Sequence, residues 1–387
     1  MNNKLLQLNF SQLESAWRKS KNNLYSDTKK NSYHKNLVNL FNLMKTEDFL
    51  RLSEKETVER SRLIDFFFLS INFLDGSTVS QIPFEIIKCL EVALKDWVDE
   101  HEDFIIVTSL VKEIDAFSFD TSLTFSDDYY IIIEKTYGIK FQSRLIQINV
   151  PESLTRDYLA NVVLYHELGH FIDKRFKISE ILTRHLVSLE GKGAITPSLK
   201  ASLDKYFPFL GSDPIRRFSD ILENHFSEYF CDLFAAQYVE STLGGYLQYL
   251  TKGSNEWYYS HPSTVSRVEL VNDFLNMNNN ELLKFILDII KKSSNREFII
   301  RSKEFSSSDF ENLIPVEINS SPELHYLFVY GWNLWLSDWK EFQRVNEMAY
   351  PLSPNQIYEI INNLIEKSIG NYIVKTNWEK YKDVSAS

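Results

Sequence analysis

Residues 162–173 read Val-Val-Leu-Tyr-His-Glu-Leu-Gly-His-Phe-Ile-Asp, and this stretch organises what the rest of the chain predicts. Side chains four positions apart lie on one face of an α-helix, so a helix here would point the imidazoles of His166 and His170 at a single zinc ion. Glu167 lies one step round the helix, within reach of a water on that zinc but not placed to bind the ion itself. The pattern is typical of a metal-assisted hydrolase.

The alternative interpretation is a structural helix with two surface or capped histidines. Four apolar residues lead into the motif and predict that the helix is buried where the polar side chains occur: Leu159, Val162, Val163 and Tyr165. Buried imidazoles and carboxylates need partners, which favours a functional site. Gly169 costs about 1 kcal/mol relative to alanine in mid-helix, so it indicates close packing.

Composition restricts the class of protein. The chain has 387 residues, 44% of them hydrophobic, which is enough for two or three domains or for one domain with large additions. A net charge of -11 argues against nucleic acid as the main partner, because phosphate binding needs a concentrated basic surface. No apolar run approaches the roughly 18 residues that span a bilayer, so we expect no integral membrane association.

The expected location is the cytoplasm. The N-terminal residues lack the sustained apolar stretch of a secretion signal. Cys89 and Cys231 are too few for a disulfide framework and are not spaced as a zinc pair, which fits a reducing compartment.

Hydropathy spacing predicts helices near both ends of the chain and short strands between them. The predicted helices are 13–19, 36–44, 54–74, 84–98, 281–292, 323–342 and 354–372, and the predicted strands are 104–110, 129–134 and 144–150. Residues 144–150 alternate as in a strand with one buried face, Pro151 ends that strand, and Ser153 or Thr155 is the expected cap of the helix that carries His166. We therefore expect an α+β, mostly helical fold with a small sheet. The expected domains are an N-terminal helical region (1–102), a core that carries the zinc motif (103–278) and a C-terminal helical region (279–387).

A third metal ligand is expected in the helical region that begins at Asp213-Pro214 and runs to Gly244-Gly245, either as one helix or as two that meet near Ser219. Glu228 is our first choice, with Asp232 one turn later as the acceptor that orients a ligating imidazole. The fourth position would stay open for water. Both carboxylates stand among apolar residues, where an unpaired charge is costly, although they could be ordinary helix charges. His225 is the competing third ligand.

A further motif, His261-Pro262 followed by Arg267, comes after these carboxylates. The order His-Glu-x-x-His, Glu-x-x-x-Asp, His-Pro-x-x-x-x-Arg resembles the zinc peptidases of the CAAX-prenyl-protease and HtpX group, members of the wider gluzincins. The resemblance covers about residues 145–275. The matching residues are His166, Glu167, His170, Glu228, Asp232, His261, Pro262 and Arg267.

This resemblance implies a zincin-like core, a zinc ion, peptide hydrolysis, and binding of the substrate backbone along an edge strand, here 144–150. Typical members of the group are embedded in membranes. Because this chain has no apolar run long enough to span one, their membrane substrates are not carried over.

The sequence thus predicts zinc-dependent hydrolysis of a peptide bond in a protein or peptide substrate. Zn²⁺ would be held by His166, His170 and Glu228, with Glu167 as general base. His261 is expected to donate to the oxyanion without binding zinc, although His261-Pro262 could merely cap a helix. Arg267 is expected to pair with a carboxylate such as Asp232 or Glu223.

Two other functions use the same features. One is a catalytically inactive zinc-binding or metal-free scaffold that binds a partner protein through its helical flanks. The other is a hydrolase of non-peptide amides. Glu167 favours an enzyme, because a scaffold has no need of a general base. The helical flanks also indicate a possible regulatory protein partner.

Overall fold

A computed structural model describes residues 3–25, 27–78, 84–99, 101–113, 117–305, 308–337, 339–346 and 350–386 of the chain. The structure is mostly helical and contains a small three-stranded sheet, which confirms the α+β, mostly helical prediction. Across those ranges, every helix is too short or too polar to cross a lipid bilayer.

The described ranges contain three strands and sixteen α-helices. The strands are β1 (Phe104–Val111), β2 (Ser118–Asp120) and β3 (Arg144–Pro151). The helices of the first half are α1 (Asn3–Ser20), α2 (Thr28–Met44), α3 (Glu54–Gly76), α4 (Phe84–Lys95), α5 (Asp127–Tyr137), α6 (Val163–Phe176) and α7 (Ile178–Gly191). Those of the second half are α8 (Pro197–Tyr206), α9 (Ser219–Val239), α10 (Thr242–Thr251), α11 (Thr264–Leu275), α12 (Glu281–Ser294), α13 (Ser308–Glu311), α14 (Ser321–Leu336), α15 (Trp339–Val345) and α16 (Pro354–Ala386).

The chain divides into two compact units. The first consists of Met1–Phe84 with Val98–Thr155, and the second of Glu85–Trp97 with Arg156–Ser387. This division differs from the domains expected to end at residues 102 and 278. The reason lies in the core of the first unit, where Ile105 and Val107 of β1 belong to the same buried cluster as Phe67 of α3. The sheet and the N-terminal helices therefore share one hydrophobic core.

The close approach of α3 to β1 depends on Gly76. A Cβ atom at this position would lie 2.4 Å from the carbonyl oxygen of Thr108, well inside van der Waals contact. Only glycine allows the helix to reach the strand this closely.

Within the sheet, β3 is the central strand. β1 pairs with it in parallel along its whole length, and β2 pairs with it in antiparallel over Gln147–Asn149. Thr124 covers part of the remaining edge, because its hydroxyl donates to the carbonyl of Leu145 at 2.6 Å. The expectation that 144–150 is an edge strand open to a peptide backbone is therefore wrong. The expectation of a single buried face is also wrong, since successive residues from Leu145 to Ile148 are all buried.

Residues 129–134 form part of helix α5 and not the predicted strand. Their tyrosines and isoleucines resemble a strand locally, but the ends of the segment favour a helix. Asp127 and Asp128 lie in the first turn, where carboxylates interact favourably with the helix dipole. Gly138 follows the last turn with a φ of 67°, the left-handed conformation that ends many helices.

The other predicted helices lie where the structure has helices, with differences at their ends. The segment 323–342 is divided, because α14 ends at Leu336 and α15 begins at Trp339. The helical region after Asp213-Pro214 starts as a 3-10 turn over Ile215–Phe218 and continues directly as α9 from Ser219, so the helix type changes there without a break. Helix α9 ends at Val239, because the next residue, Glu240, has a φ of 50° and so leaves the right-handed helical conformation. The predicted stop at Gly244-Gly245 is wrong, since both glycines lie inside α10.

Candidate metal centre

The helix that carries the first motif begins at Val163, after a 3-10 turn over Ala160–Val162. The carboxylate of Asp157 accepts from the backbone N–H of Ala160 at 2.9 Å and so caps the turn. Neither Ser153 nor Thr155 has this role, and the hydroxyl of Thr155 donates instead to the carbonyl of Glu152.

Helix α6 lies against α9 at Gly169. A Cβ atom there would lie 2.9 Å from the Cα of Cys231, so the glycine permits the two backbones to approach. The prediction that Gly169 marks close packing is confirmed. The approach brings the histidines of α6 to the carboxylates of α9.

His166 is held by Asp232. Its Nδ1 lies 3.0 Å from Asp232 Oδ1, and both side chains are buried. Burial lowers the pKa of His166, but the hydrogen bond to Asp232 and the negative charges of Glu228 and Asp232 outweigh it and raise the pKa to about 10. With Nδ1–H donated to Asp232, the Nε2 of the ring lies 3.4 Å from Glu228 Oε2.

His170 is held by a different group. Its Nδ1 lies 3.3 Å from the hydroxyl oxygen of Ser227, and that hydroxyl donates to the buried carboxylate of Asp173 at 2.7 Å. Since the Ser227 proton is committed to Asp173, the Ser227 oxygen accepts the Nδ1–H of His170. The Nε2 of His170 lies 3.5 Å from Glu228 Oε1. Burial lowers the pKa of His170 to about 4, against the opposing pull of Glu228, so the ring is neutral.

The carboxylate of Glu228 lies between the two Nε2 atoms and is 6% exposed. Distances of 3.4 and 3.5 Å are long for a charge-assisted hydrogen bond, which is typically about 2.7–2.9 Å. The two distances run to different oxygens of the carboxylate, and each is near the separation of about 3.3–3.6 Å between two ligands at 2.0–2.2 Å in a zinc tetrahedron. Glu228 Oε2 is buried and, among the described residues, has no hydrogen-bond partner. These donors fit a zinc ion.

Arg267 neutralises this group of carboxylates. Its Nε and one Nη each lie 2.7 Å from an oxygen of Asp232, a bidentate pair, and the same Nη lies 3.2 Å from Glu228 Oε2. Of the two carboxylates expected for Arg267, Asp232 is its partner. Burial raises the pKa of Glu228, but Arg267 and His166 outweigh it and hold that pKa well below its usual range.

His261 reaches the same carboxylate from a separate segment. Its Nε2 lies 3.6 Å from Glu228 Oε1, and its side chain is 52% exposed. The alternative that His261-Pro262 caps α11 does not describe the structure. Ser263 is the cap, because its hydroxyl oxygen accepts from the N–H of Ser266. Glu167, the neighbour of His166 on α6, is 6% exposed.

His225, the competing third ligand, has another role. Its Nε2 lies 2.8 Å from the carbonyl oxygen of Tyr258, and its ring packs against Phe209 and Trp257. Tyr258 and His261 are linked by backbone hydrogen bonds in both directions. His225 therefore anchors the loop that carries His261, a role that sequence reasoning missed.

Cys231 was also missed. The ligand atoms of His166, His170 and Cys231 all lie within 4.8 Å of one another, so these residues form a second possible metal-binding set. However, the Cys231 sulfur approaches His170 at Nδ1, at 3.2 Å, the nitrogen that also contacts Ser227. Burial raises the pKa of the Cys231 thiol, which opposes the thiolate form that binds metals. We therefore favour Glu228 as the third ligand.

The two sets make different predictions. Glu228→Gln should weaken zinc binding by more than the roughly 10- to 100-fold typical of changes behind the ligands, because it removes a ligand charge. Cys231→Ser should change the zinc Kd by less than about tenfold, and His225→Ala should also leave it near the wild-type value. Competition with a chromophoric chelator measures the three constants. If Cys231→Ser weakened zinc binding more than Glu228→Gln, the third ligand would be the cysteine.

Comparison of the chain with protein-family models, with curated proteins and with solved structures gives no match. The function is therefore inferred from the geometry of this site and from the three motifs.

Proposed function

We propose that the protein is a zinc-dependent metallopeptidase with a zincin-like core and a protein or peptide substrate. The observation that carries the proposal is the convergence of three donors, the Nε2 atoms of His166 and His170 and the carboxylate of Glu228, at separations suited to one zinc ion. The order of the three motifs, which resembles the CAAX-prenyl-protease and HtpX group, supports peptide hydrolysis.

The groups behind the ligands support the same proposal. Each histidine has its Nδ1 engaged, His166 with Asp232 and His170 with Ser227, which leaves each Nε2 for the metal. Hydrogen bonds of this kind fix the orientation and tautomer of a ligating imidazole. A purely structural helix has no need for two histidines oriented towards the same buried carboxylate.

A zinc ion held by His166, His170 and Glu228 would supply Lewis acidity for the hydrolysis. Glu167 accepts a proton from the attacking water and passes it to the leaving amine nitrogen. His261 donates from Nε2 to the developing oxyanion. Asp232 and Ser227 hold the two imidazoles, and Arg267 offsets the charge of the buried carboxylates.

The proposal is tested first by metal content. Purified wild-type protein should hold about one zinc per chain, and His166→Ala or His170→Ala should lose it. His185→Ala is the matched control, because His185 is exposed on α7 and its ring stacks on Phe285. Elemental analysis gives the stoichiometry. If both His166→Ala and His170→Ala kept the zinc content of the wild type, the proposed zinc site would be wrong.

Activity separates the candidate functions. Wild-type and His170→Ala protein are incubated with a peptide library, and new termini are identified by mass spectrometry. We expect cleavage by the wild type alone. Stoichiometric zinc with no cleavage of peptides or of simple amides would favour the scaffold, and turnover confined to non-peptide amides would change the substrate class.

A further inference from the structure

The second unit contains a cleft of about 490 Å³ that the metal centre does not use. Helices α4, α14 and α16 contribute to its lining, together with the segment 299–301. The volume lies within the range of roughly 300–1,000 Å³ that is typical of small-molecule sites. The cleft is therefore large enough for a metabolite-sized ligand.

The lining carries an excess of positive charge. It includes Lys88, Lys95 and Arg301 and a single carboxylate, that of Asp96. Arg301 Nη1 lies 3.5 Å from Asp96, which is a loose ion pair, and Arg301 Nε is buried with no hydrogen-bond partner among the described residues. Lys88 Nζ lies 3.6 Å from Glu91, which is also a loose ion pair, so the lining is locally positive in a chain with a net charge of -11.

The N-terminus of α14 adds to this positive potential. Ser321 and Pro322, in the first turn of this 16-residue helix, line the cleft. The preceding residue, Ser320, makes no capping hydrogen bond with its side chain. The helix dipole favours negative charge at such an end, where Glu323 of the first turn already supplies one carboxylate.

His325 provides a neutral polar group at the same place. It lies in the second turn of α14, lines the cleft and is 2% exposed. Its Nδ1 lies 2.8 Å from the hydroxyl of Tyr165, which leaves Nε2 as the ring nitrogen for a ligand. Burial lowers the pKa of His325 to about 3, so the ring is uncharged at neutral pH.

We propose that this cleft binds a small organic anion. Its phosphate or carboxylate group would lie against Arg301, Lys95 and the N-terminus of α14, and its apolar part would pack against Val92 and Ile300. The proposal goes beyond the peptidase activity and does not depend on it.

Calorimetric titration of the full chain tests the proposal with three probes of similar size: phenyl phosphate, benzoate and benzyl alcohol. The protein is stripped of metal, so that anion binding by zinc does not contribute. We expect binding of at least one of the two anions and none of the neutral alcohol, and the tighter anion identifies the acidic group. Equal binding of benzyl alcohol, or no binding of either anion at millimolar concentration, would overturn the proposal.

Variants that should change the affinity for the anion in opposite directions locate the site. Arg301→Gln and Lys95→Gln should each weaken the anion by about tenfold or more, the scale of one charged hydrogen bond. Asp96→Asn should tighten binding, because it removes the carboxylate that competes for Arg301. Lys292→Gln is the matched control, since this exposed lysine pairs with Asp288 on α12 and does not line the cleft. An unchanged affinity in both Arg301→Gln and Asp96→Asn would place the anion elsewhere.

Discussion

Glu167→Gln is expected to keep one zinc per chain and a wild-type melting temperature while losing roughly 10²- to 10⁴-fold in kcat, the range for general acid–base catalysis. The amide nearly matches the carboxylate in size but cannot accept the proton of the attacking water. Glu167 is 6% exposed and follows His166 directly on α6, so the replacement changes charge at a buried position. Peptide cleavage and elemental analysis of the same preparation measure both quantities.

His261→Ala provides the comparison for this variant. It should retain zinc and lose about 10²- to 10³-fold in kcat, the scale for one oxyanion donor. Because His261 lies 3.6 Å from Glu228, loss of zinc would instead mean direct ligation. Glu167→Gln that cleaved at the wild-type rate would show that another group is the base.

The parts of the site that depend on local geometry follow from the sequence. His166 and His170 lie on one face of α6 because the spacing of four residues dictates it. The contact of Asp232 with His166 spans 66 residues, and it was expected because Asp232 lies one turn after Glu228 among apolar residues, where an unpaired carboxylate is costly. The contact is present in the structure, whereas the catalytic and metal-binding roles of these residues stay predictions.

The parts of the site that depend on tertiary packing could not be predicted from the sequence. Gly169 predicts a close neighbour of α6, but nothing local to the sequence indicates that this neighbour is α9 or that Ser227 meets Asp173 beside His170. The approach of α6 to α9 also places Cys231 beside His170. The roles of α5 and β3 were misjudged for a related reason, since runs of tyrosine and isoleucine fit either a helix or a strand, and strand order depends on pairing partners distant in the chain.

Arg267→Ala should destabilise the metal-free protein by about 3–5 kcal/mol, the cost of breaking a buried ion pair by removing one partner. Arg267 and Asp232 are both nearly inaccessible, with side chains 8% and 2% exposed, and Glu228 lies 3.2 Å from the same guanidinium. Two carboxylates would then remain buried with His166 as their main positive neighbour. Urea denaturation monitored by circular dichroism gives the free energy of unfolding.

Arg217→Ala is the matched control, because Arg217 pairs with Asp213 at 2.7 Å but both side chains are more than half exposed. Removing this surface pair should change the free energy of unfolding by less than about 1 kcal/mol. The loss in free energy of unfolding for Arg267→Lys should lie between the losses for Arg267→Ala and Arg217→Ala, since lysine keeps the charge but loses the bidentate geometry. Comparable small losses in Arg267→Ala and Arg217→Ala would contradict the role of Arg267, because the carboxylates of α9 would then be stabilised without it.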